Sequence, residues 1–184
     1  MHALAIEPGG FAEGLLRPES VSGSAEADVG EPDQAPEERQ RPLVLVVDDE
    51  ASIRLLCRVN LRLEAIDTAE AADGAAALRI ARELSPDLVL LDVMMPQMDG
   101  WQVAAELGDG EATREIPIVF LTARAESADF LRGYDLGAVG YVSKPFDPTA
   151  LGSTLHDVLE RLRRGEREAL RRERIEELGG PSHG

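Results

Sequence analysis

Two stretches of the chain place carboxylates directly behind apolar runs: Leu43–Val47 is followed by Asp48-Asp49-Glu50, and Leu88–Leu91 by Asp92 and then Val93-Met94-Met95-Pro96. Carboxylates held about 4 Å apart repel by roughly 4 kcal/mol per pair at an effective dielectric of about 20, so gathering them calls for a cation. An oxygen-only ligand set with open positions suits Mg2+, which keeps several waters and shares a phosphate readily. Two further runs end in different groups. Thr122, with the small Ala123 beside it, follows Ile118–Leu121, and Lys144-Pro145 follows Val139–Val142. A hydroxyl and an ammonium converging on a carboxylate–metal cluster would hold the oxygens of a phosphoryl group on Asp92 and make that carboxylate the attacking nucleophile. Of the 19 basic residues Lys144 is the single lysine, which suits a site that wants a point charge instead of a planar fork.

Taken singly, each of these residues has a plainer explanation. Acids behind strands cap the next helix, and a lone lysine is a solvated surface charge. Taken together, five such groups behind four of five strands resist explanation as caps.

The elements that must position them follow from the apolar pattern. From Pro42 onward, short apolar runs alternate with amphipathic stretches, as in βα units stacked on a parallel sheet. Strands are expected at Leu43–Val47, weakly at Ala65–Thr68, and at Leu88–Leu91, Ile118–Leu121 and Val139–Val142. Ile53, Leu56, Cys57 and Leu61 recur at helical spacing, and Leu151, Leu155, Val158, Leu159 and Leu162 do so more cleanly. Ser85-Pro86 and the Gly108–Gly110 stretch supply helix stops. The 121 residues from Pro42 to Leu162 therefore read as one α/β domain, a flavodoxin-like, doubly wound (βα)5 fold with a five-stranded parallel sheet in the order 2-1-3-4-5. In such folds function sits beyond the carboxyl ends of the strands, where the strand order reverses.

The segments LVLVVDDE, PDLVLLDVMMPQMDG, IPIVFLTA and GYVSKPF resemble the signature segments of response-regulator receiver domains of two-component signalling, over about Pro42 to Leu162. The resemblance implies that Asp92 is the phosphoacceptor and that Asp48, Asp49, Asp92 and the Met94 backbone carbonyl hold Mg2+. Lys144 would contact the phosphoryl group, and Thr122 and Tyr141 would form a switch pair. It marks the Lys144–Pro145 bond as a candidate cis peptide. In that family the hydroxyl moves toward the phosphoryl oxygens and the aromatic ring turns inward. The face altered is made by the helix between the fourth and fifth strands, the fifth strand and the helix after it. Met94 and Arg124, two residues beyond Asp92 and Thr122, sit where family members tune access of hydrolytic water. Tyr141 has an alternative reading as a core aromatic of the fifth strand.

Outside that domain, residues 1–41 hold 9 acids and 3 bases among Gly, Pro, Glu, Ala and Ser, and read as a disordered acidic arm. Residues 163–184 read as a charged helical tail, Glu166 to Leu178, stopped by Gly179, Gly180 and Pro181. Leu162, Leu170, Ile175 and Leu178 form only a broken stripe, so this helix is expected to be solvated and partly frayed.

Net charge is −16, which repels nucleic acid, and 22 residues after Leu162 are too few for a winged-helix domain, so no DNA-binding domain is expected. One cysteine, Cys57, allows no intramolecular disulfide, and His2, His156 and His183 are too scattered to gather a metal. No apolar run has the roughly 20 residues of a membrane span, which suggests a cytoplasmic protein with no membrane partner.

The expected role is a stand-alone phosphorylation switch. It would be fed by a histidine kinase or phosphotransfer protein and would act on an unidentified output protein or through a homodimer. A phosphate shuttle or sink in a phosphorelay uses the same site. An aspartyl-phosphate phosphatase would need an acid two residues beyond the nucleophile, where this chain has Met94.

Overall fold

A computed structural model describes residues 40–123 and 132–177. The stretch read as a disordered acidic arm, apart from Gln40 and Arg41, lies outside these residues, as do Arg124 and Leu178 with the glycines beyond it.

Five parallel strands form one sheet: β1 (Leu43–Val47), β2 (Asp67–Ala71), β3 (Leu88–Asp92), β4 (Ile118–Thr122) and β5 (Ala138–Ser143). Their order is β2-β1-β3-β4-β5, the doubly wound arrangement expected from the apolar pattern. Among the described residues, helices run over α1 (Ala51–Leu63), α2 (Gly74–Leu84), α3 (Gly100–Asp109), α4 (Pro148–Arg163) and α5 (Arg167–Glu177), and residues 132–135 are helical as well.

Alternation along the central strands divides the core in two. Leu45, Val47, Val89, Leu91, Ile118 and Phe120 pack toward α2 and α3, with Trp101, Val103 and Leu107. Val44, Val46, Leu88, Leu90, Val119 and Leu121 pack toward α1 and α4, with Cys57, Leu61, Leu151 and Leu155. Both faces are covered, which is why β1 is apolar throughout and β3 and β4 are apolar at every position but their last, Asp92 and Thr122.

Helix starts follow side-chain chemistry. The Asp73 carboxylate accepts from the Ala76 N–H at 2.8 Å, Asp99 and Gln102 form a reciprocal capping box, and Asp147 caps α4 ahead of Pro148. Ser85, with φ 42°, ends α2 just before Pro86.

The second strand runs later than expected, over Asp67–Ala71 instead of Ala65–Thr68. Ala65 takes a left-handed turn at φ 57°, closing α1, so pairing with β1 starts only at Leu43↔Asp67. The C-terminal helix also departs from expectation. Instead of lying in solvent, α5 packs against β5, with Leu170 only 3% exposed in the α1/α4 core and Ile175 set against the opposite core. Arg161 pairs with both carboxylate oxygens of Glu173 at 2.8 Å, and Arg171 donates to the Tyr134 carbonyl at 2.6 Å. Among the described residues no helix is long and apolar enough to cross a membrane.

Candidate functional site

The sheet register assembles the site. Val47 pairs with Leu91, which brings Asp48 level with Asp92 at the point where strand order reverses. Thr122 pairs with Ser143, and the next residue, Lys144, donates its backbone N–H to the Thr122 carbonyl at 2.8 Å. Four strand ends thereby deliver Asp48, Asp49, Asp92, Thr122 and Lys144 to one edge of the sheet. Asp48, Asp92 and Thr122 are buried there.

Asp48, Asp49 and Asp92 each offer a carboxylate oxygen within 4.8 Å of the others. The Lys144 ammonium lies 2.6 Å from Asp48 Oδ2 and 3.1 Å from Asp92 Oδ2, so one cation bridges two buried anions. The remaining oxygens are also used: Asp48 Oδ1 accepts from the Glu50 N–H at 2.9 Å and Asp92 Oδ1 from the Met94 N–H at 3.3 Å. Glu50 occupies the N-cap position of α1 without a side-chain cap, so the acids behind β1 do not serve α1 as its side-chain cap.

Electrostatics follow from burial. Desolvation pushes the Asp92 carboxyl above its ordinary value, against the opposing hydrogen bond and charge of Lys144. Burial opposes charge on Lys144 as well, but its hydrogen bonds to Asp48 and Asp92 outweigh that and hold the ammonium above the usual lysine range. A more basic carboxylate is a better nucleophile, and a firmly protonated lysine is a lasting counter-charge.

An all-oxygen set of three carboxylates, two of them buried, matches what a hard divalent cation requires. Asp49 is exposed, which leaves one side of the cluster open.

Not every candidate residue joins this cluster. Tyr141 stands apart: its ring stacks on Phe120, with centroids 5.5 Å apart, and meets the Tyr134 ring edge-on at 5.4 Å. Met94 is 71% exposed. The Lys144–Pro145 peptide is cis.

Two contributors went unnoticed in the sequence. The Arg54 guanidinium donates to the carbonyls of Asp48 (2.7 Å) and Asp49 (3.1 Å), pinning the β1–α1 turn. Gly100 lets α3 start against the end of β3, because a Cβ there would strike the Asp92 carbonyl oxygen and lie 2.9 Å from Val93 Cα. The Met98-Asp99-Gly100 run was the available signal for the glycine; Arg54 had none, since it sits among other arginines of α1.

The receiver-domain family, described as "Response regulator receiver domain", matches residues 44–156, and the chain belongs to it. Among curated proteins it is 45% identical over 130 residues to the DNA-binding response regulator MtrA of Mycobacterium leprae, covering 71% of this chain and 54% of that protein. It is 37% identical over 120 residues to the DNA-binding dual master transcriptional regulator RpaA of Synechocystis, covering 65% and 50%. Among solved structures, the chemotaxis protein CheY4 of Vibrio cholerae superposes with a TM-score of 0.61 at 33% identity, covering 64% of this chain and 98% of that one. The chain spans about half the length of the curated relatives it matches.

These relatives overturn one expectation, that of a stand-alone receiver with no DNA-binding domain, acting on an unidentified output protein. MtrA and RpaA are described as DNA-binding regulators, and this chain matches only about half the length of each. The charge argument fails for a physical reason. The acidity of a receiver governs what its own surface attracts and says nothing of contacts made by another part of the same regulator.

Proposed function

We infer that this chain works as the phosphorylation-controlled switch of a two-component relay. Asp92 accepts a phosphoryl group from the phosphohistidine of a histidine kinase or phosphotransfer protein. In the reading we propose, residues 1–41 are an acidic arm, 42–162 the receiver and 163–184 a charged helical tail. The observation that carries the reading is Lys144, whose ammonium bridges Asp48 and Asp92 behind a cluster of three carboxylates.

An Asp92 oxygen attacks phosphorus as the P–N bond breaks, and the departing imidazole keeps the electron pair and takes up a proton. Lys144, already within hydrogen-bonding distance of Asp92, follows the charge onto the transferred group. Thr122, buried behind β4, donates its hydroxyl to a phosphoryl oxygen once it moves, and Tyr141 responds by changing its packing. Asp48, Asp49, Asp92 and the Met94 carbonyl are the residues that would hold Mg2+, which supplies positive charge against the phosphoryl oxygens. By likeness to MtrA and RpaA, the output coupled to this switch is control of a DNA-binding regulator.

Intact mass spectrometry tests the reading. In Mg2+ with acetyl phosphate as donor the chain should gain the mass of one phosphoryl group, and Asp92→Asn should gain none. Equal gain by the variant would defeat the assignment.

A further inference from the structure

Gly133 is buried within helical residues 132–135. Its backbone gives no reason for a glycine, because the glycines with positive φ among the described residues are Gly137 and Gly165. Inside a helix glycine is a poorer choice than alanine, so something else must favour it here. That something is space. A Cβ on residue 133 would coincide with the Tyr141 hydroxyl and would lie 2.9 Å from Tyr141 Cζ and 3.0 Å from Phe120 Cε2. The register of β4 and β5 pairs Tyr141 with Phe120 and Ser143 with Thr122. A ring stacked over Phe120 therefore sits one strand repeat, roughly 6.6 Å, short of Thr122.

We propose that Gly133 is a positioning residue for Tyr141: its missing side chain is the berth that lets the ring lie over Phe120, away from Thr122, and alanine there shifts the ring toward the Thr122 side. The inference rests on the reading of Thr122 and Tyr141 as a switch pair. It adds that one of the two ring positions is set by a residue on the neighbouring helix. A ring displaced from its berth no longer has to leave it when the phosphoryl group arrives, so the cost of switching falls.

The protein carries its own reporter. Trp101, its single tryptophan, lies 4.5 Å from the Phe120 ring, centroid to centroid, and beneath the Arg132 guanidinium at 5.3 Å. The full chain would be compared with Gly133→Ala, Tyr141→Ala and the double variant in two measurements. Thermal unfolding should show Gly133→Ala lowering the midpoint far more in the presence of Tyr141 than in the Tyr141→Ala background, where only the 3.0 Å approach to Phe120 remains. Titration with beryllofluoride in Mg2+, followed by Trp101 emission, should half-saturate Gly133→Ala at about a fivefold lower concentration than wild type, because the resting position no longer competes.

A merely packed glycine would move the unfolding midpoint and leave the titration where it was, which would overturn the proposal. Additive unfolding shifts would overturn it too, by removing the contact. Should wild type itself fail to respond to beryllofluoride, the phosphorylation reading falls and the proposal with it. A normal wild-type response matched by Gly133→Ala sinks the proposal alone.

Discussion

Lys144 and Asp48 are 96 residues apart in the chain and 2.6 Å apart in space, and the same ammonium reaches Asp92 at 3.1 Å. A parallel sheet whose order reverses between β1 and β3 is what makes this contact. It brings three strand ends to one buried spot and leaves the charges there to be settled locally. Several consequences of that settlement are measurable.

Removing the cation strands two buried anions. Lys144→Gln should destabilise the domain by about 3 kcal/mol in urea unfolding without divalent cations, as expected when one partner of a buried ion pair is deleted. Added Mg2+ should recover part of the loss by supplying another positive charge. The Lys144 pKa is raised on folding, so its contribution is fully present below its ordinary value of 10.5 and declines as pH rises beyond it. A variant as stable as wild type in the absence of cations would contradict the geometry.

Asp92 should behave in the opposite way. Its folded pKa is raised above 3.8, so the stability linked to its proton is complete below that pH and is lost as pH climbs through the folded value. At neutral pH the ionised carboxylate is a net cost. Asp92→Asn should therefore unfold at a higher temperature than wild type at pH 7, with the advantage shrinking toward pH 3. Calorimetry at the two pH values checks both the sign and the trend.

Cys57 is buried against β1 and α4, and burial pushes its thiol up to about 12. The native protein should resist iodoacetamide at pH 8, and urea should expose the thiol to rapid alkylation. Because the folded value exceeds the ordinary 9.0, stability tied to this proton holds below pH 9 and drains away between pH 9 and about 12. The stability gap between wild type and Cys57→Ala should narrow across that range.

Leu170 offers a direct reading of the docked C-terminal helix. With 3% exposure in the α1/α4 core, Leu170→Ala should cost about 2–4 kcal/mol by chemical denaturation. A cost within about 0.5 kcal/mol, the usual size at exposed surface positions, would put α5 back in solvent.

The parts legible in the sequence were those whose physics is local. β1, β3 and β4 are legible because strands covered on both faces give unbroken apolar runs, and Asp48, Asp92 and Thr122 stand out as the polar residues that follow those runs. β2 is hard to locate in the sequence because it is an edge strand, DTAEA, with neither an apolar run nor a clean alternation to mark it, and it lies later than Ala65–Thr68. The docking of α5 is hidden in the sequence for a geometric reason. It lies along the sheet edge, with Leu170 in one core and Ile175 against the other, so no single apolar stripe could appear. Arg54 and Gly133 were hidden because their value lies in what they touch across the fold, a pair of carbonyls and a tyrosine hydroxyl.

The central claim is that Asp92 is the residue that takes the phosphoryl group. An acyl phosphate is reduced by borohydride to an alcohol, which converts a phosphorylated aspartate to homoserine. The full chain would be treated with acetyl phosphate and Mg2+, reduced, digested and mapped by mass spectrometry. Homoserine at position 92, and at no other aspartate, is the expected result; reduction at Asp48 or Asp49, or no reduced residue in a chain that had gained phosphoryl mass, would contradict the account.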